Sequence, residues 1–132
     1  MRNLRNTLCA LLATVAFSSG CHSSKTLYNG KIDDANVSYV QTFNTLGDLT
    51  SQTMSIKKAE GGSIDLTDNS PYPADYQIDK VKITKNGKTT EYLSRNVADS
   101  AMIEEGQKKF NEYKSRIQEE KPKEDLEFLR NF

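Results

Sequence analysis

Val81-Lys82-Ile83-Thr84-Lys85-Asn86-Gly87-Lys88-Thr89-Thr90-Glu91-Tyr92 decides the fold. Asn-Gly stands between two runs that alternate apolar with polar residues. Both central positions of the favoured two-residue hairpin turn require positive φ, which Asn and Gly tolerate. Counting outward sets the register. Lys85 faces Lys88, Ile83 faces Thr90 and Val81 faces Tyr92 on one side, while Lys82 faces Glu91 on the other. A side-chain period of two means that a slip by one residue would put the apolar residues on opposite faces.

Working toward the amino terminus, Met54 to Leu66 reads as a second hairpin. A three-residue loop at Glu60-Gly61-Gly62 would set Ile56 opposite Leu66 and Lys57 opposite Asp65. Upstream, Thr26 to Ile32 and Asn36 to Phe43 alternate as two further strands, with Val37, Tyr39 and Phe43 on one side and Val40 on the other. Asp33-Asp34-Ala35-Asn36 is the turn between them. Between the two hairpins, Asp68-Asn69-Ser70-Pro71-Tyr72-Pro73-Ala74-Asp75 reads as loop from its prolines and Asx residues.

Beyond Asp99 the apolar spacing changes to three and four: Ile103, Gly106, Phe110, Tyr113 and Ile117. Asp99 or Ser100 is the expected cap, and Pro122 the expected end of the helix. The fold class is therefore α+β: an antiparallel meander of about five to six strands, followed by one long C-terminal helix packed on the sheet. Residues 25–121 form that domain, and 122–132 follow as an acidic, apolar tail carrying Leu126, Phe128, Leu129 and Phe132.

The first residues have a different character. Met1-Arg2-Asn3-Leu4-Arg5 precedes an apolar run over residues 8–17, the layout of an export signal. A helix of that length reaches about 15 Å, half of a hydrocarbon core of about 30 Å, so it is not a permanent span. Arg2 and Arg5 are not adjacent, which favours the Sec route over the twin-arginine route. Ser18-Ser19-Gly20-Cys21 then resembles the processing site of a bacterial lipoprotein precursor, with Ser18 where that class usually carries an aliphatic residue. The resemblance covers residues 1–21 only. It implies removal of residues 1–20 by cleavage after Gly20, and a diacylglyceryl group on Cys21. Ordinary signal cleavage after Gly20, leaving a free thiol, is the alternative. With Cys9 lost in the signal, Cys21 has no partner for an internal disulfide. Residues 21–24 would form a short tether, so the partner expected first is membrane lipid through acylated Cys21, in the cell envelope. The residue after Cys21 is His22, not the Asp that commonly signals inner-membrane retention.

Charge excludes two other partner classes. The chain has 18 basic and 18 acidic side chains; without Arg2 and Arg5 the exported part is about −2, with both signs interleaved. Nucleic-acid binding and polybasic membrane sensing both need a basic stripe, and there is none. The expectation is no nucleic acid, no cofactor and no metal. His22 is the only histidine, so histidine-based catalysis and Cys/His metal sites are out of reach. Neither Asp33-Asp34 nor Asp65-x-x-Asp68-Asn69 matches a calcium loop. The expected role is a non-enzymatic binding or structural module near the membrane, with an envelope protein as a further partner. The rivals are an envelope hydrolase working through carboxylates alone, and an inhibitor or adaptor acting through the C-terminal helix and tail. The candidate partner surface is Tyr72 and Tyr76 of the inter-hairpin loop, whose rings would alternatively fold back to cap the core, together with Leu126, Phe128, Leu129 and Phe132.

Overall fold

The computed structural model describes residues 23–69 and 75–132. The signal segment, Gly20, Cys21, His22 and Tyr72 lie outside the described residues. Six strands form one antiparallel sheet in sequence order: β1 (Ser23–Ile32), β2 (Ala35–Phe43), β3 (Leu49–Lys58), β4 (Ser63–Asp68), β5 (Lys80–Lys85) and β6 (Lys88–Leu93). A 3-10 turn at Val97–Asp99 leads into a single helix, α1 (Ser100–Arg130). The α+β meander-plus-helix expectation is met.

The β5–β6 hairpin has the expected register throughout, from Lys85 opposite Lys88 to Val81 opposite Tyr92. Asn86 and Gly87 both have positive φ, 52° and 75°. The β3–β4 hairpin also has a three-residue loop, placed one residue earlier than expected. Ile56 pairs with Ile64 and Lys57 with Ser63. The loop is Ala59-Glu60-Gly61, closed by the Lys58 N–H donating to the Gly62 carbonyl at 2.9 Å. Its last residue must be left-handed, and Gly61 takes that place at φ 101°. The shift moves the pairing by two residues, so Ile56 and Leu66 keep the same face.

One face of the sheet is apolar and carries the helix. Tyr28, Ile32, Val37, Tyr39, Met54, Ile56, Leu66 and Val81 are buried there, under Phe110 and Ile117 of α1. The Phe110 ring meets Tyr39 edge to face, with centroids 5.8 Å apart. On the opposite face Ser38 is paired with Ser55, and Thr53 is flanked by Val40 and Thr67. No described element covers that face, so its polar side chains remain half-buried among themselves.

Three expectations need correction. Strand β1 begins at Ser23, so Ser23 and Ser24 belong to the sheet rather than to a tether over 21–24. Asp99 stands at the cap of α1 without capping it. Its carboxylate turns back to accept the Leu93 N–H at 3.0 Å, securing the link from β6. Most important, Pro122 does not end the helix, and residues 122–130 are not a separate tail. Proline removes the bond to the Gln118 carbonyl and crowds that carbonyl, but Gln118 is exposed, so the carbonyl can tilt out to solvent. The residues around it, Glu119 to Lys121 and Lys123 to Arg130, are mostly good helix formers.

Gly106 fixes how closely α1 approaches the sheet. A Cβ there would overlap Val81 Cγ2 and touch Leu66. Gly106→Ala is expected to destabilise the protein by about 1 to 2 kcal/mol, because overpacking outweighs the gain in helix propensity. Denaturant unfolding checks this. Adding Val81→Ala to the Gly106→Ala protein should cost less than Val81→Ala alone, the coupling expected of two groups competing for one space.

Candidate functional site

Polar residues at one end of the sheet build the site. The Tyr39 hydroxyl on β2 donates to Gln52 Oε1 on β3. Gln52 Nε2 donates to Asp68 Oδ2 on β4 at 2.9 Å, and both residues are buried. Gln41 Nε2 reaches the Tyr39 hydroxyl at 3.5 Å and Gln52 Oε1 at 3.4 Å. These residues occupy alternate positions on the helix-facing side of three adjacent strands, so the network follows from the register.

The network ends on the inter-hairpin loop. Asp68 Oδ2 also accepts the Tyr76 N–H at 2.7 Å. Tyr76 has φ 65°, a left-handed backbone that costs a non-glycine residue roughly 1 to 2 kcal/mol. The helix holds it from the other side. Gln107 Nε2 donates to the Tyr76 carbonyl at 3.2 Å, and Gln107 Oε1 accepts the Ile78 N–H at 2.7 Å. One glutamine thus satisfies two backbone groups of the loop. The Tyr76 ring lies under Lys114 Nζ, 4.3 Å from its centroid, a cation–π contact.

Held there, Tyr76 forms one wall of a groove of about 630 Å³ between the second half of α1 and strands β1 and β2. The sheet side is Leu27, Tyr39 and Gln41. The helix side runs from Lys114 and Ile117 through Lys121 and Pro122 to Asp125, Leu126 and Leu129. Leu27 reaches the groove because a bulge between Thr26 and Tyr28 makes it the extra residue on β1. Nearby, the Tyr28 hydroxyl lies 3.1 Å from the Lys31 carbonyl and 3.3 Å from Glu124 Oε1, so its one proton is shared between a contact within the edge strand and one to the helix beyond Pro122. Burial, and next the charge of Glu124, raise the Tyr28 phenol above its ordinary value.

The structure divides the expected partner surface. Tyr76, Leu126 and Leu129 meet in the groove. Phe128 and Phe132 stand away from it and pack on each other, with centroids 5.6 Å apart. The groove residues missed in the sequence are Leu27, Tyr39 and Gln41 on the sheet and Lys114, Ile117, Gln118, Lys121, Pro122 and Asp125 on the helix, because a helix taken to end at Pro122 does not form one continuous wall as far as Leu129.

The acids serve structural roles. Asp33 is ion-paired with Arg116 at 2.9 Å, and that hydrogen bond and charge hold its carboxyl below the usual range. Asp68, Asp75 and Asp79 bring carboxylate oxygens within 4.8 Å of one another, enough in principle to offer oxygen ligands to a hard cation. Each also braces the loop: Asp75 Oδ1 accepts the Gln77 N–H, and Asp79 Oδ2 accepts the Asn69 N–H, both at 2.9 Å. Compared with known proteins, the chain matches no family, no curated protein and no solved structure.

Burial pushes the Tyr39 phenol up to about 12. An unfolded tyrosine ionises near 10, so the unfolded state loses its proton first. Stability should therefore fall as pH rises from about 10 toward 12, by on the order of 2 kcal/mol. Denaturant titrations of wild type and Tyr39→Phe across that range test it: the phenylalanine variant should have the flatter slope.

Proposed function

We propose that this protein is a lipid-anchored component of a cell envelope, exported by the Sec route, cleaved after Gly20 and acylated at Cys21. Its sheet-and-helix body acts as a non-enzymatic binding module, and the groove between α1 and strands β1 and β2 is its binding surface. The observation that carries this reading is that Ser23, two residues after the proposed lipid attachment point, already lies in β1. Two extended residues reach roughly 7 Å, so a body joined to fatty chains at Cys21 would rest on the membrane surface. The groove lies at the same end of the sheet. Gln41 in its wall pairs with Lys25, only two residues along β1 from Ser23.

Among the described residues no helix is long and apolar enough to cross a membrane. Two or three fatty chains on one residue hold a protein stably where a single chain does so marginally. Two features favour binding over the rival of a carboxylate hydrolase. Of the three acids that converge, Asp68 is fully buried and already receives two donors. The groove, by contrast, is lined mainly by carbon, as small-molecule sites usually are.

Cys21→Ala should move the protein from the membrane fraction to the soluble envelope fraction. The amino-terminal peptide of the wild type should carry the mass of a diacylglyceryl group. An unshifted fractionation, or an unmodified wild-type peptide, contradicts the anchor.

A further inference from the structure

We infer that the groove binds a single-chain anionic amphiphile, a long-chain fatty acid, with its carboxylate against Lys114 and its chain running along α1 toward Leu126 and Leu129. This names the ligand of the binding surface proposed above and rests on that reading.

Length is the first argument. From Lys114 to Leu129 the helix wall rises by fifteen residue steps, about 22 Å at 1.5 Å per residue. One leaflet of a bilayer, half of a hydrocarbon core of about 30 Å, is the span of one acyl chain, about 15 Å. The trough is long enough for one chain. Its volume of about 630 Å³ falls in the range of small-ligand sites, roughly 300 to 1,000 Å³.

The second argument is what the walls offer. Ile117, Pro122, Leu126 and Leu129 line one side and Leu27 and the Tyr39 ring the other. The polar atoms of the sheet wall already bond to each other, through Tyr39, Gln41 and Gln52. A peptide laid in the groove would need partners for all of its own N–H and carbonyl groups, and the walls offer few beyond Lys114, Gln118, Lys121 and Asp125. An alkyl chain needs none.

Charge sets the direction. The Lys114 ammonium is positioned over the Tyr76 ring at one end of the groove, and Lys121 follows on the same helix wall. Asp125 stands beside Leu126 and Leu129 at the other end. A carboxylate is drawn to Lys114, the lysine farther from Asp125, whereas Lys121 has Asp125 one helical turn on, so the chain points toward the two leucines.

Palmitate carrying a photoreactive group in mid-chain, added to membranes holding the full-length protein, tests this once the adducts are mapped by mass. The expected adducts are on Leu27, Ile117, Leu126 or Leu129, competed at least tenfold better by palmitate than by hexadecanol. Lys114→Ala should lower this labelling at least fivefold. Leu126→Glu with Leu129→Glu should abolish it while leaving the melting temperature unchanged, because both leucines are exposed. Adducts confined to Phe128, Phe132 or Leu46, equal competition by hexadecanol, or labelling indifferent to these substitutions would each overturn the proposal. Fractionation of Cys21→Ala is scored separately, so loss of the anchor reading and loss of the fatty-acid reading give different results.

Discussion

The close seating of the helix on the sheet at Gly106 and Phe110 is the contact on which the rest depends. With no side chain at 106, α1 comes down on Val81 and Leu66, and Phe110 drops edge-on against Tyr39 in the middle of the core. A six-stranded meander with one polar face cannot shield its other face alone. A single helix must do so, and its angle and height are set where it touches. From that point it continues toward the edge strand, where the Tyr28 hydroxyl, shared with the Lys31 carbonyl, reaches Glu124 beyond the proline.

The groove is a by-product of covering a wide sheet with one narrow rod. A helix is about 10 Å across, while six strands at about 4.8 Å spacing extend over twice that width. Some of the apolar face beside the helix must be filled by loop or left open. Tyr76 fills part of it, in a backbone conformation its side chain disfavours, because Asp68 and Gln107 hold both sides of its peptide chain. The polar string from Tyr39 to Asp68 joins that loop to the sheet. Buried polar groups of this kind keep their place only when satisfied, so the string constrains the position of the groove wall.

The sheet could be read from the sequence because its signals are local. Asn86-Gly87 specified both a turn and a register, and alternation in Asn36 to Phe43 named the core face correctly through Val37 and Tyr39. The β3–β4 loop was displaced by one residue because Gly61 and Gly62 are adjacent and either could take the left-handed position. The groove was only partly legible. Tyr76 stood out as a tyrosine in a proline-rich loop, and Leu126 and Leu129 as apolar residues in an acidic stretch, but Pro122 was read as a stop. A proline in a helix is decided by what surrounds it in space: the exposed turn before it and the anchoring of Glu124 on a strand 96 residues earlier in the chain. Leu27 and Gln41 could not be assigned to the site for the same reason.

The account requires α1 to stay on the sheet past Pro122, since without that stretch there is no groove. Nuclear Overhauser contacts in the folded protein measure this directly. The account predicts contacts between the Phe110 and Tyr39 rings and also between the Tyr28 ring and the Glu124 methylenes. Finding the first pair without the second would place the end of the helix away from the edge strand and contradict it.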